Sequence, residues 1–322
     1  MPNLSVNIGT LKLKNPVMVA SGTFGWLEEF KDFMNLKELG AIVTKTITLK
    51  PRQGNPPPRT CETPAGMLNS IGLENPGLEV FIREKLPLLK KIGIPIIVSI
   101  ASEDDPGEFV LLSKRLDKIK EVAAIELNIS CPNIKSAKTE RAQKAKLISQ
   151  DPNSTYALVN RVRKVTKKTL ITKLSPNVTD ITVIAKAAEH GGTDAVSLIN
   201  TITAMSIDVK TGKPKIASLI GGLSGPAIRP VAVRMVWEVC RKIKVPIIGM
   251  GGIIDVSSAL EFIIAGASAI SVGTANFINP KVTVEIISGI KQYLVKNKIK
   301  DIRGLTGSIK IESQNYPGFR CR

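Results

Sequence analysis

Eight short runs of β-branched and aliphatic residues, separated by amphipathic stretches, constrain this chain more than any other feature. They fall at residues 17–21, 42–47, 96–100, 124–129, 170–174, 195–200, 245–250 and 269–272. Most are continuously apolar, as a strand buried on both faces must be. The stretches 78–92, 108–119, 156–169, 180–190, 231–243 and 257–265 carry apolar residues at helical spacing. Residues 28–39 follow the first strand, and 280–297 follow the eighth, in the same way. Thr179-Asp180 offers a helix N-cap, and Gly191-Gly192 and Gly266 stand where helices should end. Eight β-then-α units predict an α/β fold, a (β/α)8 TIM barrel; a doubly wound sheet has no need of eight evenly recurring strands. Residues 4–8 and 11–13 flank Gly9-Thr10 and read as an N-terminal β-hairpin closing the barrel bottom. No linker, composition break or repeat divides the chain, so residues 1–322 are expected to form a single domain. The tail after about residue 304 has no assigned role.

Composition narrows function by exclusion. The four cysteines, Cys61, Cys131, Cys240 and Cys321, include no CxxC pair. That excludes a disulfide scaffold and a structural zinc module, and fits free thiols in a reducing cytoplasm. Cys61 and Cys240 read as small buried residues. The one histidine, His190, leaves no material for His-based triads or His-cluster metal sites, and reads as an exposed helix C-terminal residue. The first residues lack the pattern of a secretory signal. The longest apolar runs fall far short of the ~20 residues that span a bilayer, so a soluble protein with no membrane contact is expected. Lys and Arg number 45 against 27 Asp and Glu, a net charge of +18, which raises nucleic acids and acidic small molecules as partners. Residues 134–170 hold ten basic against two acidic side chains, and residues 291–322 hold eight against two. Aromatic residues make up only 4%, leaving few platforms for stacked bases. The charge therefore reads as a solvated basic surface; a nucleic-acid-binding barrel is the non-enzymatic alternative, and nucleic acid is not expected as a partner.

In a barrel of this kind the active site lies at the C-terminal ends of the strands. There the sequence places Ser21-Gly22, Lys45-Thr46, Ser99, residues 128–133, Lys173, Asn200-Thr201, residues 249–252 and Gly273-Thr274. A lysine or asparagine aimed into a barrel mouth is costly without a ligand. The last two strands end in Gly-Met-Gly-Gly (249–252) and Val-Gly-Thr (272–274), where backbone N–H groups can close on an anion. A phosphorylated substrate or a cofactor such as FMN would suit that place. Cys131, just after the fourth strand, sits in a polar segment over the presumed mouth. A thiol that ionises near pH ~8.5 can serve as a general base.

The segments Ala20-Ser-Gly22, Val43-Thr-Lys-Thr46, residues 66–77 (GMLNSIGLENPG) and Asn128-Ile-Ser-Cys-Pro-Asn133 resemble the dihydroorotate dehydrogenases. So do residues 173–180 (KLSPNVTD), 199–201 (INT), 221–227 (GGLSGPA), 249–252 and 272–277 (VGTANF), in unbroken order from about residue 4 to about 300. Cysteine in the NISCPN segment is similar to class 1, and the nearest subgroup is type 1B, the NAD-linked form. The resemblance implies oxidation of (S)-dihydroorotate to orotate in pyrimidine (UMP) biosynthesis, with one FMN per chain. Cys131 would remove the proton from C5 while hydride leaves C6 for FMN N5. Lys45, Asn69, Ser70, Ile71, Gly72, Leu73, Asn128, Asn133, Asn200 and Thr201 match positions around the substrate. Ser21, Gly22, Lys45, Thr46, Ser99, Asn128, Lys173, Ile199, Gly225, Gly251, Gly252, Gly273 and Thr274 match positions around FMN, with Lys173 at the N1–C2 edge.

It also implies a homodimer joined to a subunit carrying FAD and a [2Fe–2S] cluster, a heterotetramer that passes electrons to NAD⁺. The chain has neither a GxGxxG after its first strand nor clustered cysteines of its own. Two positions depart from the family pattern. Ser99 stands where asparagine is usual, and residues 134–154 are longer than the family's loop and contain no glycine. That basic stretch is expected to act as a mobile lid. The enzymatic alternatives are a related FMN barrel acting on another pyrimidine such as dihydrouracil, and a type 1A, fumarate-linked enzyme.

Overall fold

The computed structural model describes residues 1–27, 29–102, 105–130 and 148–310. Eight strands close into a barrel in chain order: Val17–Val19, Ala41–Val43, Ile96–Ile100, Val122–Asn128, Thr169–Lys173, Ala195–Leu198, Ile247–Gly249 and Ala269–Val272. Each pairs in parallel with the next, and the eighth closes on the first through Ile270 and Val17. All eight predicted runs are therefore barrel strands. The strands are buried on both faces, with Ile42, Ile97, Val98, Ile125, Leu170, Val196 and Ile270 all 2% exposed or less. Several strands are shorter at their C-terminal ends than the apolar runs, because polar residues there turn out of the ladder into the mouth.

Seven of the eight connections contain a regular helix, ending in Ile181–His190, Arg229–Cys240, Val256–Ala265 and Val282–Lys296 after the last four strands. Asp180 accepts a hydrogen bond from Thr182 N, as its place before the fifth-strand helix predicts. The left-handed residue after that helix is Gly192, with φ +96°, and His190 is its exposed last residue. Two readings need correction. Residues 29–39 form successive turns rather than a helix, with only a single 3-10 turn at Leu36–Glu38. Phe24 and Phe30 stack at 3.7 Å, and Asn35 accepts from Lys37 N, so the local chain is spent on turn contacts. The helix expected over 156–169 is Pro152–Arg163, capped by Asp151 with Pro152 at its first position. Residues 148–154 thus belong to a turn and this helix, while residues 134–147 of the expected lid lie outside the described residues. Cys61 and Cys240 are half-buried rather than buried. Among the described residues no helix is long and apolar enough to cross a membrane.

The N-terminal hairpin pairs Val6–Ile8 with Leu11–Leu13 and buries Ile8 and Leu13 completely. Its tip touches the N-terminal strand ends: Thr10 Oγ1 lies 2.8 Å from Thr169 Oγ1. Gly9 has φ +58°, and a Cβ there would stand 2.7 Å from Asp194 Cβ, so the tip closes on the barrel bottom only as glycine. At the opposite end a second, antiparallel sheet lies beyond the barrel strands, in the order Ile202–Ala204, Gly221–Ser224, Gly66–Asn69, Thr60–Thr63. It grows from the connections after the second and sixth barrel strands.

The helix Val256–Ala265, which follows the seventh strand, begins on a reciprocal cap between Asp255 and Ser258. The Ser258 amide holds the Asp255 carboxyl below its ordinary value of 3.8. Such a group adds stability that is present above the unfolded-state value and lost as pH falls through the folded one. Asp255→Ala should lower the unfolding free energy by about 1 kcal/mol at pH 7. Denaturant unfolding should show a smaller loss near pH 3; an equal loss at both would contradict the cap.

Candidate active site

A cleft of about 370 Å³ opens at the C-terminal ends of the barrel strands, under the four-stranded sheet. Its floor is one connected set of hydroxyl and amide groups. Thr46 Oγ1 is the node, 2.8 Å from Ser21 Oγ, 3.0 Å from Ser99 Oγ and 3.1 Å from the Asn128 amide nitrogen that donates to it. Ser130 donates to Asn128 Oδ1 at 3.3 Å, and the Asn200 amide donates to Ser130 Oγ at 2.9 Å. The network thus runs from the first strand to the sixth, and it fixes which faces of Asn128 and Asn200 remain for a ligand.

Two lysines reach this cleft, Lys45 after the second strand and Lys173 at the end of the fifth. Lys173 is only 5% exposed. Neither ammonium group makes a hydrogen bond or ion pair with a described residue. The other charged lining residues, Arg59 and Glu74, are paired with one another. The cleft therefore presents two positive charges that no described residue pairs directly, and it favours an anion.

The glycine segments form the other end. Gly251, Gly252 and Gly225 have φ of +122°, +80° and +96°. A Cβ on Gly252 would stand 2.7 Å from Arg229 Cβ and 2.8 Å from Gly225 O, so glycine lets this loop and the turn Pro226–Ile228 close on one another. The backbone N–H groups of Gly251, Gly252, Gly273 and Thr274 donate to no described residue. Four free donors at one end of a positive cleft make a nest for a phosphate-like anion. Ile199, Ile228 and Met250 supply an apolar wall between that nest and the lysines. A flat, partly apolar molecule ending in a phosphate fits these groups.

The cleft gathers most of the residues singled out in the sequence. Ser21, Gly22, Lys45, Thr46, Asn69, Ile71, Gly72, Leu73 and Asn128 line it from the first half of the chain. Lys173, Ile199, Asn200, Thr201, Gly225, Gly251, Gly252, Gly273 and Thr274 line it from the second. Two do not line it. Ser70 is turned away, taking the Asn55 amide at 2.7 Å and donating to Ser218 at 2.9 Å. Ser99 is fully buried beneath Thr46 and acts on the floor from below. Cys131 and Asn133 lie outside the described residues. Arg59, Thr60, Met67, Ser224, Ser271 and Phe277 also line the cleft and were not anticipated. The turn-forming Pro64-Ala65 between 60–63 and 66–69 was the only local sign of the hairpin that brings in Thr60 and Met67.

Comparison with known proteins agrees with this arrangement. The family model described as dihydroorotate dehydrogenase matches residues 3–294. A protein of Thermodesulfovibrio yellowstonii is 55% identical over 310 residues, covering 96% of this chain and 100% of its own length. One of Thermoanaerobacter pseudethanolicus is 52% identical over 310 residues, with the same coverage. One of Trichlorobacter lovleyi is 52% identical over 309 residues, covering 96% of this chain and 99% of its own. All three carry the name dihydroorotate dehydrogenase B (NAD(+)), catalytic subunit. A match running through the hairpin, the barrel and every segment that builds the cleft places this chain in the dihydroorotate dehydrogenase family.

Proposed function

We propose that this chain is the catalytic subunit of an NAD-linked, type 1B dihydroorotate dehydrogenase, working in the cytoplasm as one FMN-binding barrel and oxidising (S)-dihydroorotate to orotate in pyrimidine biosynthesis. The observation that carries the reading is the pairing, in one cleft, of two lysines with four backbone N–H groups at the last two strand ends, none of which bonds to a described residue. Substrate and cofactor are both anionic, and both need such donors.

The free N–H groups of Gly251, Gly252, Gly273 and Thr274 would hold the FMN phosphate, with Ile199, Ile228 and Met250 against the ring system. When bound, FMN would supply the two-electron chemistry by which the substrate is oxidised. Lys173 places positive charge where the reduced ring accumulates negative charge. Lys45 binds the substrate carboxylate. The amides of Asn69, Asn128, Asn133 and Asn200 offer donors and acceptors to the imide edges of the pyrimidine, and Thr201 adds a hydroxyl. Asn69 already donates to Gly222 O at 3.0 Å, and Asn200 donates to Ser130 Oγ at 2.9 Å while its Oδ1 accepts from Thr201 N at 2.8 Å, so both amides are held in a fixed orientation. Gly72 and Leu73 close the substrate side, where Gly72 O is tied to Arg52 Nε at 3.0 Å. Cys131 Sγ takes the proton from C5. A partner subunit carrying FAD and a [2Fe–2S] cluster, docked on a homodimer of this chain, would supply the route to NAD⁺.

Cys131→Ser should keep its FMN and lose at least ~100-fold in the rate of flavin reduction at pH 7, the usual contribution of a general base. Residual activity should rise toward high pH, because a hydroxyl gives up its proton far less readily than a thiol. Stopped-flow reduction across pH checks this; a wild-type rate at pH 7 would remove Cys131 from the mechanism. The purified chain alone should reduce dyes with dihydroorotate but not NAD⁺, and gain NAD⁺ reduction when the partner is added. Rapid NAD⁺ reduction without a partner would refute the two-subunit reading, and efficient fumarate reduction would point to the type 1A chemistry.

A further inference from the structure

Among the described residues only two charged side chains are buried: Glu126, 2% exposed, and Lys173, 5% exposed. Lys173 belongs to the cleft already described. Glu126 does not line it. It lies on the fourth barrel strand, two residues before Asn128, so alternation along the strand sends both side chains to the same side. Asn128 faces the cleft, and Glu126 therefore points into the barrel one layer below. A hydrogen bond fixes it there: Ser197 Oγ, on the sixth strand, donates to Glu126 Oε2 at 3.0 Å. The fifth strand stands between the fourth and the sixth, so this bond crosses the barrel interior. On that fifth strand Lys173 is the register partner of both Asn128 and Ser197. The carboxylate is thus held beneath the lysine, within the barrel but short of direct contact. Its other oxygen, Oε1, is buried and bonded to no described residue.

Packing does not explain an acid in this place. Glutamine has the same shape and could still accept from Ser197, without the cost of burying an ion. What only the carboxylate supplies is negative charge below the one buried cation.

We propose that Glu126 is the counter-charge of Lys173, a positioning residue that draws the ammonium toward the cleft floor and attenuates the positive field it presents to the bound ring. Attraction between two such charges is felt across more than contact distance because no bulk water separates them. The consequence for the ring rests on the FMN reading above; the pairing itself does not.

Two measurements test the proposal. In the FMN-loaded protein, Glu126→Gln should unmask Lys173 and shift the flavin equilibrium toward the reduced form by roughly tenfold, about 30 mV positive for a two-electron couple. Glu126→Asp keeps the charge, so its potential should stay near that of the wild type. A merely structural role gives the reverse order, since glutamine preserves the shape and aspartate leaves a void. Equal potentials for wild type and Glu126→Gln, or a larger shift for Glu126→Asp, would overturn the proposal. The second measurement is thermal unfolding of the FMN-free chain. Lys173→Met strands the carboxylate and should lower Tm; adding Glu126→Gln should restore part of the loss. Additive changes in Tm would overturn the pairing. If Glu126→Gln alone does not fold, recovery of folding by Lys173→Met supports the pair, and failure of the double variant overturns it. A chain that binds no FMN defeats the flavin reading and leaves the unfolding cycle to decide the pair.

Discussion

An ammonium group held almost entirely out of water, with no described residue hydrogen-bonded to it, is the constraint around which this molecule is arranged. Lys173 is 5% exposed at the end of a strand whose other residues are completely or almost completely buried. Below it, the only other buried charge among the described residues is Glu126, which is not in contact with it. The cost of burying the ammonium is met by what surrounds the mouth and by what the mouth is built to receive. Hydroxyl and amide groups, rather than carboxylates, make the floor, so that the positive charge is left for a ligand. The other unpartnered lysine in the cleft, Lys45, follows the same logic.

The remainder of the cleft follows from keeping donors free without leaving the floor loose. Thr46 takes part in three hydrogen bonds at once and ties Ser21, Ser99 and Asn128 to itself, so that the ends of the first four strands share one geometry. The glycine turns after the seventh and eighth strands do the opposite: they leave N–H groups without internal partners, which a loop exposed to a ligand can tolerate and a buried loop cannot. The second sheet covers these features from above. Leu223 pairs with Leu68, 155 residues earlier in the chain (223 minus 68), so Asn69 takes its place over the barrel only when these distant segments have met.

The barrel was legible because its strands are buried on both faces and leave a continuous apolar signature, as at Ile96–Ile100 and Thr169–Lys173. The polar residues at the strand ends were legible for the same reason, since they interrupt an otherwise apolar frame. The second sheet was not. Its strands are short, half-buried and rich in glycine and threonine, and their pairing is set by partners far away in sequence. Ser70 was misplaced because its neighbours Asn69 and Ile71 do line the cleft; adjacency in the chain hides that a strand turns alternate side chains away. The turns after Gly25 read as a helix because apolar spacing alone does not register the competition from Asn35 and the stacked Phe24 and Phe30. The partner of Glu126 could not be read at all, for no local pattern connects the fourth strand to Ser197 on the sixth.

On the proposed function, Lys45 and the asparagines choose the carboxylated ring of an anionic dihydropyrimidine beside a bound flavin. Anaerobic titration of the FMN-loaded chain tests it most directly, with dihydroorotate in one cell and dihydrouracil, which lacks the carboxylate, in the other. The account predicts that dihydroorotate bleaches the yellow flavin absorbance and releases one orotate per flavin reduced, while dihydrouracil at the same concentration leaves the spectrum unchanged. A flavin that dihydroorotate does not bleach, or that both compounds bleach equally, would contradict it.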